Sequence, residues 1–226
     1  MAGYRAGGGT RHVSATANGD ADPSFHLRTI GPEPAGATPL EEEDLEVLIP
    51  TFVATRADLN LVELENIVQA LPWARTHAQM GGPDAVLDYS FMLTLHRRMF
   101  GDVWRWAGTQ RRRLTNIGVA PELITTQSRS LFDDALYWHR QSVFDPDERA
   151  IRIHARLVHA HPFPNGNGRC TRLIADLYLH AIAVEPFSWG ASNLDIDGSA
   201  RQSYIAALVK AIDTDDYADL LRFARG

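Results

Sequence analysis

The sequence predicts an all-α domain. Apolar residues recur at helical spacing in segments from about residue 40 to the C-terminus, as they do on buried helix faces. Helix-start signals precede several of these segments, at Thr38-Pro39, at Thr55 and at Asp145-Pro146. Residues 1–36 are rich in small and polar side chains, so we expect a disordered tail before a single domain over 37–226.

The helical segments follow one another with short breaks. The first is expected to start at Thr38 and stop at Pro50, and the second to run from Thr55 to Leu71. The Gly-Gly-Pro sequence at 81–83 predicts a loop over 73–85. Further helices are expected over 87–100, 121–137 and 145–159, after the central motif, over 200–212 and near the C-terminus.

The central motif runs from His161 to Arg172 as His-Pro-Phe-Pro-Asn-Gly-Asn-Gly-Arg-Cys-Thr-Arg. Gly166 and Gly168 let the backbone approach a ligand, and loop amides that lead into a helix form an anion site. Arg169 and Arg172 share a helix face, and guanidinium groups suit phosphate oxygens. His161 lies close enough to take a proton from an attacking hydroxyl. The motif therefore predicts a phosphate site beside a general base.

This stretch resembles the signature of the Fic (Fido) family, His-x-Phe-x-(Asp/Glu)-Gly-Asn-Gly-Arg-x-x-Arg. Most Fic proteins transfer AMP from ATP to a hydroxyl group of a target protein, and their fold is a helical bundle with a small β-hairpin flap. The resemblance implies that His161 is the base and that Phe163 anchors the loop. It also implies phosphate-binding residues, which are Gly166, Asn167, Gly168, Arg169 and Arg172.

Asn165 departs from this signature. The family has Asp or Glu there, which binds the Mg²⁺ that bridges the phosphates, and the neutral oxygen of Asn is a poorer ligand for a hard cation. Two consequences stay open: magnesium binding is weakened, or the activity differs from ordinary AMP transfer.

The second predicted helix contains Glu65-Asn66, which resembles the Glu-Gly/Asn end of the family's inhibitory-helix pattern. In that pattern the glutamate pairs with the second arginine of the motif. We therefore expect an inhibitory helix over about 55–71, with Glu65 paired to Arg172. Glu63 is a competing candidate, and a solvated Glu65 is the plain alternative.

The segment Val103-Trp104-Arg105-Trp106-Ala107-Gly108, followed by Arg111 to Arg113, resembles the approach to the family's flap. The resemblance implies a hairpin over about 113–119 that docks the target peptide by strand addition. The docking residues would be Thr115, Asn116, Ile117 and Gly118.

Tyr204 and Asp213 fall in the region that walls the adenine pocket of Fic domains. Core packing of Tyr204 and helix capping by Asp213 are the simpler interpretations.

Composition restricts the partners. The net charge of −6 and the pI of about 5.8 argue against direct nucleic-acid binding. No apolar run predicts a membrane helix, no signal peptide is evident, and a single cysteine, Cys170, fits a reducing cytoplasm.

The order of several short segments before the central motif resembles one Fic subgroup, "mobile mystery protein B". These segments include Thr55-Arg56-x-x-Leu59-Asn60, the run from Met99 to Gly108 and the run from Asn116 to Pro121. The resemblance implies a bacterial host and a helix-turn-helix partner, mobile mystery protein A. The leading hypothesis is a protein adenylyltransferase. The alternatives are a Fic variant that transfers another phosphate-containing group, a catalytically silent nucleotide-binding module, and a regulatory protein that acts with a DNA-binding partner.

Overall fold

The computed structural model describes residues 45–191, 194 and 198–226. Within them the predicted all-α class is confirmed, because helices dominate and no strand occurs. The helices are α1 (Arg56–Val86), α2 (Tyr89–Phe100), α3 (Ile124–Gln141), α4 (Pro146–Ala160), α5 (Asn167–Ala181), α6 (Ser199–Thr214) and α7 (Ala218–Arg225). The predicted tail and the helix start expected at Thr38 lie outside the described residues.

Helix α1 starts where the sequence predicted. The side chain of Thr55 accepts a hydrogen bond from the Asp58 amide at 3.1 Å, and the Asp58 carboxylate accepts one from the Thr55 amide at 2.9 Å. The loop predicted over 73–85 is wrong, since the helix continues to Val86 and only Gly82 leaves helical geometry. Ala74 and Ala78 are fully buried, so tertiary packing overrides the local glycine signal.

Helix α5 is the centre of the bundle. It packs against α1 and α4, and it also contacts α2. On the outer sides, α3 packs on α4, and α6 packs on both α4 and α7. Because α5 begins inside the central motif, at Asn167, this central helix supports the motif loop. Its fully buried side chains include Ile174, Tyr178 and Leu179.

The hairpin predicted over 113–119 is not formed. These residues form an irregular loop, called here the flap loop, and the β contact seen in the described part of the chain is one antiparallel bridge between Leu48 and Trp104. A two-stranded hairpin is marginal on its own. The carbonyl groups of Arg113 and Val119 instead accept hydrogen bonds from the Arg111 side chain.

None of the described helices combines the length and apolar character that a membrane span requires.

Candidate active site

His161 caps the end of α4 with a left-handed backbone, at φ 50° and ψ 62°. Its Nδ1 atom lies 3.4 Å from the Val158 carbonyl oxygen, which can only accept, so Nδ1 carries the proton and Nε2 carries the lone pair. Burial, and secondarily the charge of Arg111, lower the pKa of His161 to about 4. The imidazole is therefore neutral at physiological pH, as a general base must be.

The loop after His161 is shaped by Gly166 and by the Asn167 side chain. Gly166 has a φ of 77°, and a Cβ there would lie 2.7 Å from the Phe100 ring. The Asn167 amide group closes the loop, since its Oδ1 accepts from the Phe163 amide at 2.9 Å and its Nδ2 donates to the Phe163 carbonyl at 2.8 Å. Phe163, which was expected to anchor the loop, is fully buried. Gly168 follows in the first turn of α5, so backbone amides of this turn face a cavity.

The two motif arginines lie on the same cavity. Arg169 forms a 2.7 Å ion pair with Glu63, whose other oxygen accepts a 2.6 Å hydrogen bond from the Trp104 indole. Arg172 lies beside Gly168, with Nη1 3.4 Å from the position that a Cβ would take, and its guanidinium is 5.6 Å from the centre of the Tyr204 ring. One cation is thus held by a carboxylate, and the other lies next to the loop amides.

The predicted pairing of Glu65 with Arg172 is wrong. Glu65 is exposed, whereas Glu63 is 3% exposed and faces the site. The reason is helix geometry, since residues two apart lie on nearly opposite sides of α1. Asn66, which is on the buried side, exchanges hydrogen bonds with Asp102 at 3.0 and 3.2 Å.

The side-chain oxygen of Asn165 is poorly suited to a magnesium ion. It accepts the Gly166 amide at 2.6 Å and lies 3.5 Å from Nη2 of Arg169, a cation that would repel Mg²⁺. Both oxygens of Glu63 are already engaged. No cluster of three potential metal-ligating side chains occurs among the residues for which the structure is described. The described donor set therefore does not fit a magnesium ion held by this loop.

These residues surround a cavity of about 400 Å³. The motif supplies one wall and α6 supplies an apolar wall of Ile205, Leu208, Val209 and Ile212. Tyr204 lies between the two walls, with its hydroxyl 2.9 Å from Nε2 of the buried His154, and Asp213 is exposed at the rim. Of the predicted docking residues, Ile117 and Gly118 line the cavity, whereas Thr115 and Asn116 are not among its lining residues.

Residues 86–179 match the model of the Fic/DOC family. This segment is therefore similar to Fic/DOC domains. Two curated relatives are similar to the same part of the chain. The protein adenylyltransferase fic-1 of Caenorhabditis briggsae is 37% identical over 100 residues, which are 42% of this chain and 20% of the relative. The protein adenylyltransferase Fic of Nematostella vectensis is 31% identical over 100 residues, which are 42% of this chain and 23% of the relative. The chain thus spans about a fifth of the length of these relatives.

Solved structures share the fold. Fic-1 from Caenorhabditis elegans is 25% identical with a TM-score of 0.56, and the match covers 71% of this chain and 46% of that one. A Fic-domain signalling protein from Bacteroides thetaiotaomicron is 20% identical with a TM-score of 0.57, covering 72% and 65% of the two chains. The matched part of the chain therefore shares the fold of these structures.

Sequence analysis missed a residue that lies behind the Fic/DOC motif. The ring of His96 stacks on Phe163 at 3.6 Å, its Nδ1 accepts from the Gly108 amide at 3.0 Å, and its Nε2 donates to the Asn165 carbonyl at 3.1 Å. His96 looked like an ordinary helix residue, because both polar contacts are far away in sequence. Four further polar residues line the cavity and were also missed: Arg56, Asn60, His159 and Arg201.

Proposed function

We propose that this Fic/DOC domain is a protein adenylyltransferase, which moves AMP from ATP to a serine, threonine or tyrosine hydroxyl of a target protein. The names of the curated relatives support this activity for the matched segment. The observation that carries the proposal is the single cavity that joins a neutral histidine, loop amides, two motif arginines and an apolar wall. Those parts suit a hydroxyl nucleophile, a polyphosphate and a nucleotide base, respectively.

The reaction follows from the position of each group. Nε2 of His161 takes the proton of the target hydroxyl as that oxygen attacks the α-phosphorus of ATP. The new bond joins the hydroxyl oxygen to the α-phosphorus, the bond to the bridging oxygen of the β-phosphate breaks, and pyrophosphate leaves. The amides around Gly168 and the guanidinium of Arg172 stabilise the charge that develops on the phosphates. Because the Asn165 site does not fit magnesium, we assign no step to a metal ion.

The base of the nucleotide is assigned to the apolar wall of α6. Ile205, Leu208 and Val209 offer the surface, and Tyr204 adds an aromatic ring next to Arg172. Asp213 is exposed and lines the same cavity.

We further propose that Glu63, in place of Glu65, holds the site in a restrained state. A phosphate that binds Arg169 must displace a carboxylate at 2.7 Å, so the ion pair competes directly with the nucleotide. Replacement of Glu63 by Gln keeps an acceptor for Trp104 and removes the charge. We expect faster transfer by roughly tenfold, since hydrogen bonds to charged groups contribute about 1.5 kcal/mol or more.

The test measures label transfer from α-labelled ATP to proteins of a lysate and to purified candidates. Glu63→Gln should raise the label, and the double variant with His161→Ala should abolish it. Glu65→Gln is the matched control, because it makes the same change on the exposed side of the same helix. Transfer that survives His161→Ala would refute the assigned base.

The Asn165 geometry favours one alternative, a module that binds nucleotide without transferring AMP. Saturable ATP binding with no label in either Glu63→Gln or wild-type protein would support it. Label from the γ-phosphate or from a different nucleotide would instead indicate transfer of another phosphate-containing group. The "mobile mystery protein B" subgroup, its bacterial host, the helix-turn-helix partner and the cytoplasmic location stay predictions from the sequence, and co-purification with a DNA-binding protein would test the partner.

A further inference from the structure

Arg111 is a buried cation whose partners are unusual. Its side chain is 2% exposed, yet every polar contact it makes within the described residues is to a main-chain carbonyl and none is to a carboxylate. Burying a guanidinium without a counter-ion is costly unless each donor is satisfied. A side chain placed in this way has a specific task in holding the backbone around it.

The carbonyl groups that Arg111 binds belong to two separate pieces of the site. On the motif side, Nε donates to the His161 carbonyl at 2.6 Å, and the Arg111 amide donates to the Pro162 carbonyl at 2.9 Å. On the flap side, Nη1 donates to the Arg113 carbonyl at 2.8 Å and Nη2 donates to the Val119 carbonyl. One guanidinium therefore joins the residue that carries the base to both ends of the flap loop.

Gly118 shows how closely the flap loop lies against the base. A Cβ at this position would be 2.5 Å from the His161 Cβ and 2.7 Å from Nη2 of Arg111. The backbone of Gly118 also has a φ of 107°, which other residues rarely adopt. The flap loop, the base and the guanidinium thus form one packed unit with no spare space between them.

We propose that Arg111 is a positioning residue that fixes the flap loop to His161 in one register, so that a target segment docked on the loop presents its hydroxyl to the base. The proposal rests on the proposed function only in naming what docks there. The positive charge of Arg111 has a second effect. Burial lowers the pKa of His161, and the nearby charge of Arg111 lowers it further because it favours the neutral imidazole.

Arg111→Lys and Arg111→Gln separate these effects. Lysine keeps the charge and loses the planar fork, whereas glutamine keeps some hydrogen bonding and loses the charge. Arg112→Lys and Arg112→Gln are the matched controls, since Arg112 is the exposed neighbour.

We expect Arg111→Lys to lower kcat/KM for the target by roughly ten- to a hundredfold, because a misplaced nucleophile costs rate steeply, while the Kd for ATP stays within about twofold of wild type. Both Arg111 variants should speed hydrogen exchange of the flap-loop amides. In Arg111→Gln alone, the His161 pKa measured by NMR should rise; His161→Ala assigns the resonance. The Arg112 variants should show none of these changes.

Unchanged flap-loop exchange in both Arg111 variants would overturn the proposal, and so would an equal loss of ATP affinity and target turnover. If neither variant folds, the wild-type protein still decides the question. Flap-loop amides that exchange as fast as exposed coil would refute the coupling. The exchange and NMR experiments need no nucleotide, so they remain decisive even if the wild-type protein transfers no AMP.

Discussion

Acid should destabilise this fold well above the pH at which its carboxylates are protonated. His96 and His154 are fully buried and their pKa values are lowered to about 3, chiefly by burial, while the pKa of His161 is lowered to about 4. Each histidine binds a proton in the unfolded chain near pH 6.5 and not in the folded protein, so stability is complete above about 6.5 and falls below it. Between pH 7 and 5 each histidine removes roughly 2 kcal/mol of unfolding free energy.

Asp176 acts in the opposite direction. Burial raises the pKa of Asp176 to about 6, so the folded protein binds a proton at a higher pH than the unfolded chain does. This proton uptake adds roughly 1 kcal/mol to the free energy of unfolding between pH 7 and 5. The exposed aspartates with lowered pKa values titrate below this range. The net expected loss is about 5 kcal/mol, a large part of a typical total stability of about 5–15 kcal/mol.

Urea unfolding at pH 7, 6 and 5 measures this loss directly. His154→Gln should reduce the pH dependence by roughly 2 kcal/mol, because one proton-binding group of the unfolded chain is removed. His159→Gln is the matched control, since it makes the same change at an exposed position of the same helix. A free energy of unfolding that stays level from pH 7 to 5 would show that these histidines are not held neutral by burial.

Two further substitutions test the site. Asn165→Asp restores the acidic residue of the family signature. We expect this variant to bind ATP roughly tenfold more tightly with Mg²⁺ than with EDTA. The wild-type affinity, measured by calorimetry, should be nearly the same under both conditions. A strong magnesium dependence of the wild-type protein would count against the donor-set argument. Gly118→Ala places a Cβ 2.5 Å from the His161 Cβ at a φ of 107°, so we expect a loss of roughly 1–3 kcal/mol in thermal stability and of target turnover together. Wild-type turnover in that variant would show that the flap loop moves freely over the base.

The central motif could be predicted from sequence because its chemistry is local. His161, the loop glycines and Arg172 occupy one short stretch, and one break between two helices is enough to bring them together. Which glutamate reaches Arg169 depends on the side of α1 that faces the site. Leu59, Glu63 and Asn66 follow one buried stripe at helical spacing, so periodicity alone could have selected Glu63 over Glu65.

Other features required contacts between distant residues. The hairpin was expected from the resemblance to Fic domains, but Arg111 binds the carbonyl groups at both ends of the flap loop. The role of His96 depends on Gly108 and Asn165, which only the folded chain brings to its two ring nitrogens. Neither arrangement has a local sequence signal.

The left-handed backbone of His161 has a consequence for how this position tolerates change. Helices that end in this conformation usually place glycine or asparagine there, and a side chain such as histidine costs roughly 1 kcal/mol. Selection for a robust fold alone would favour glycine at position 161. Under the proposed function, chains that lose catalysis should therefore replace this histidine and gain stability, so the residue at position 161 would indicate whether catalysis is retained.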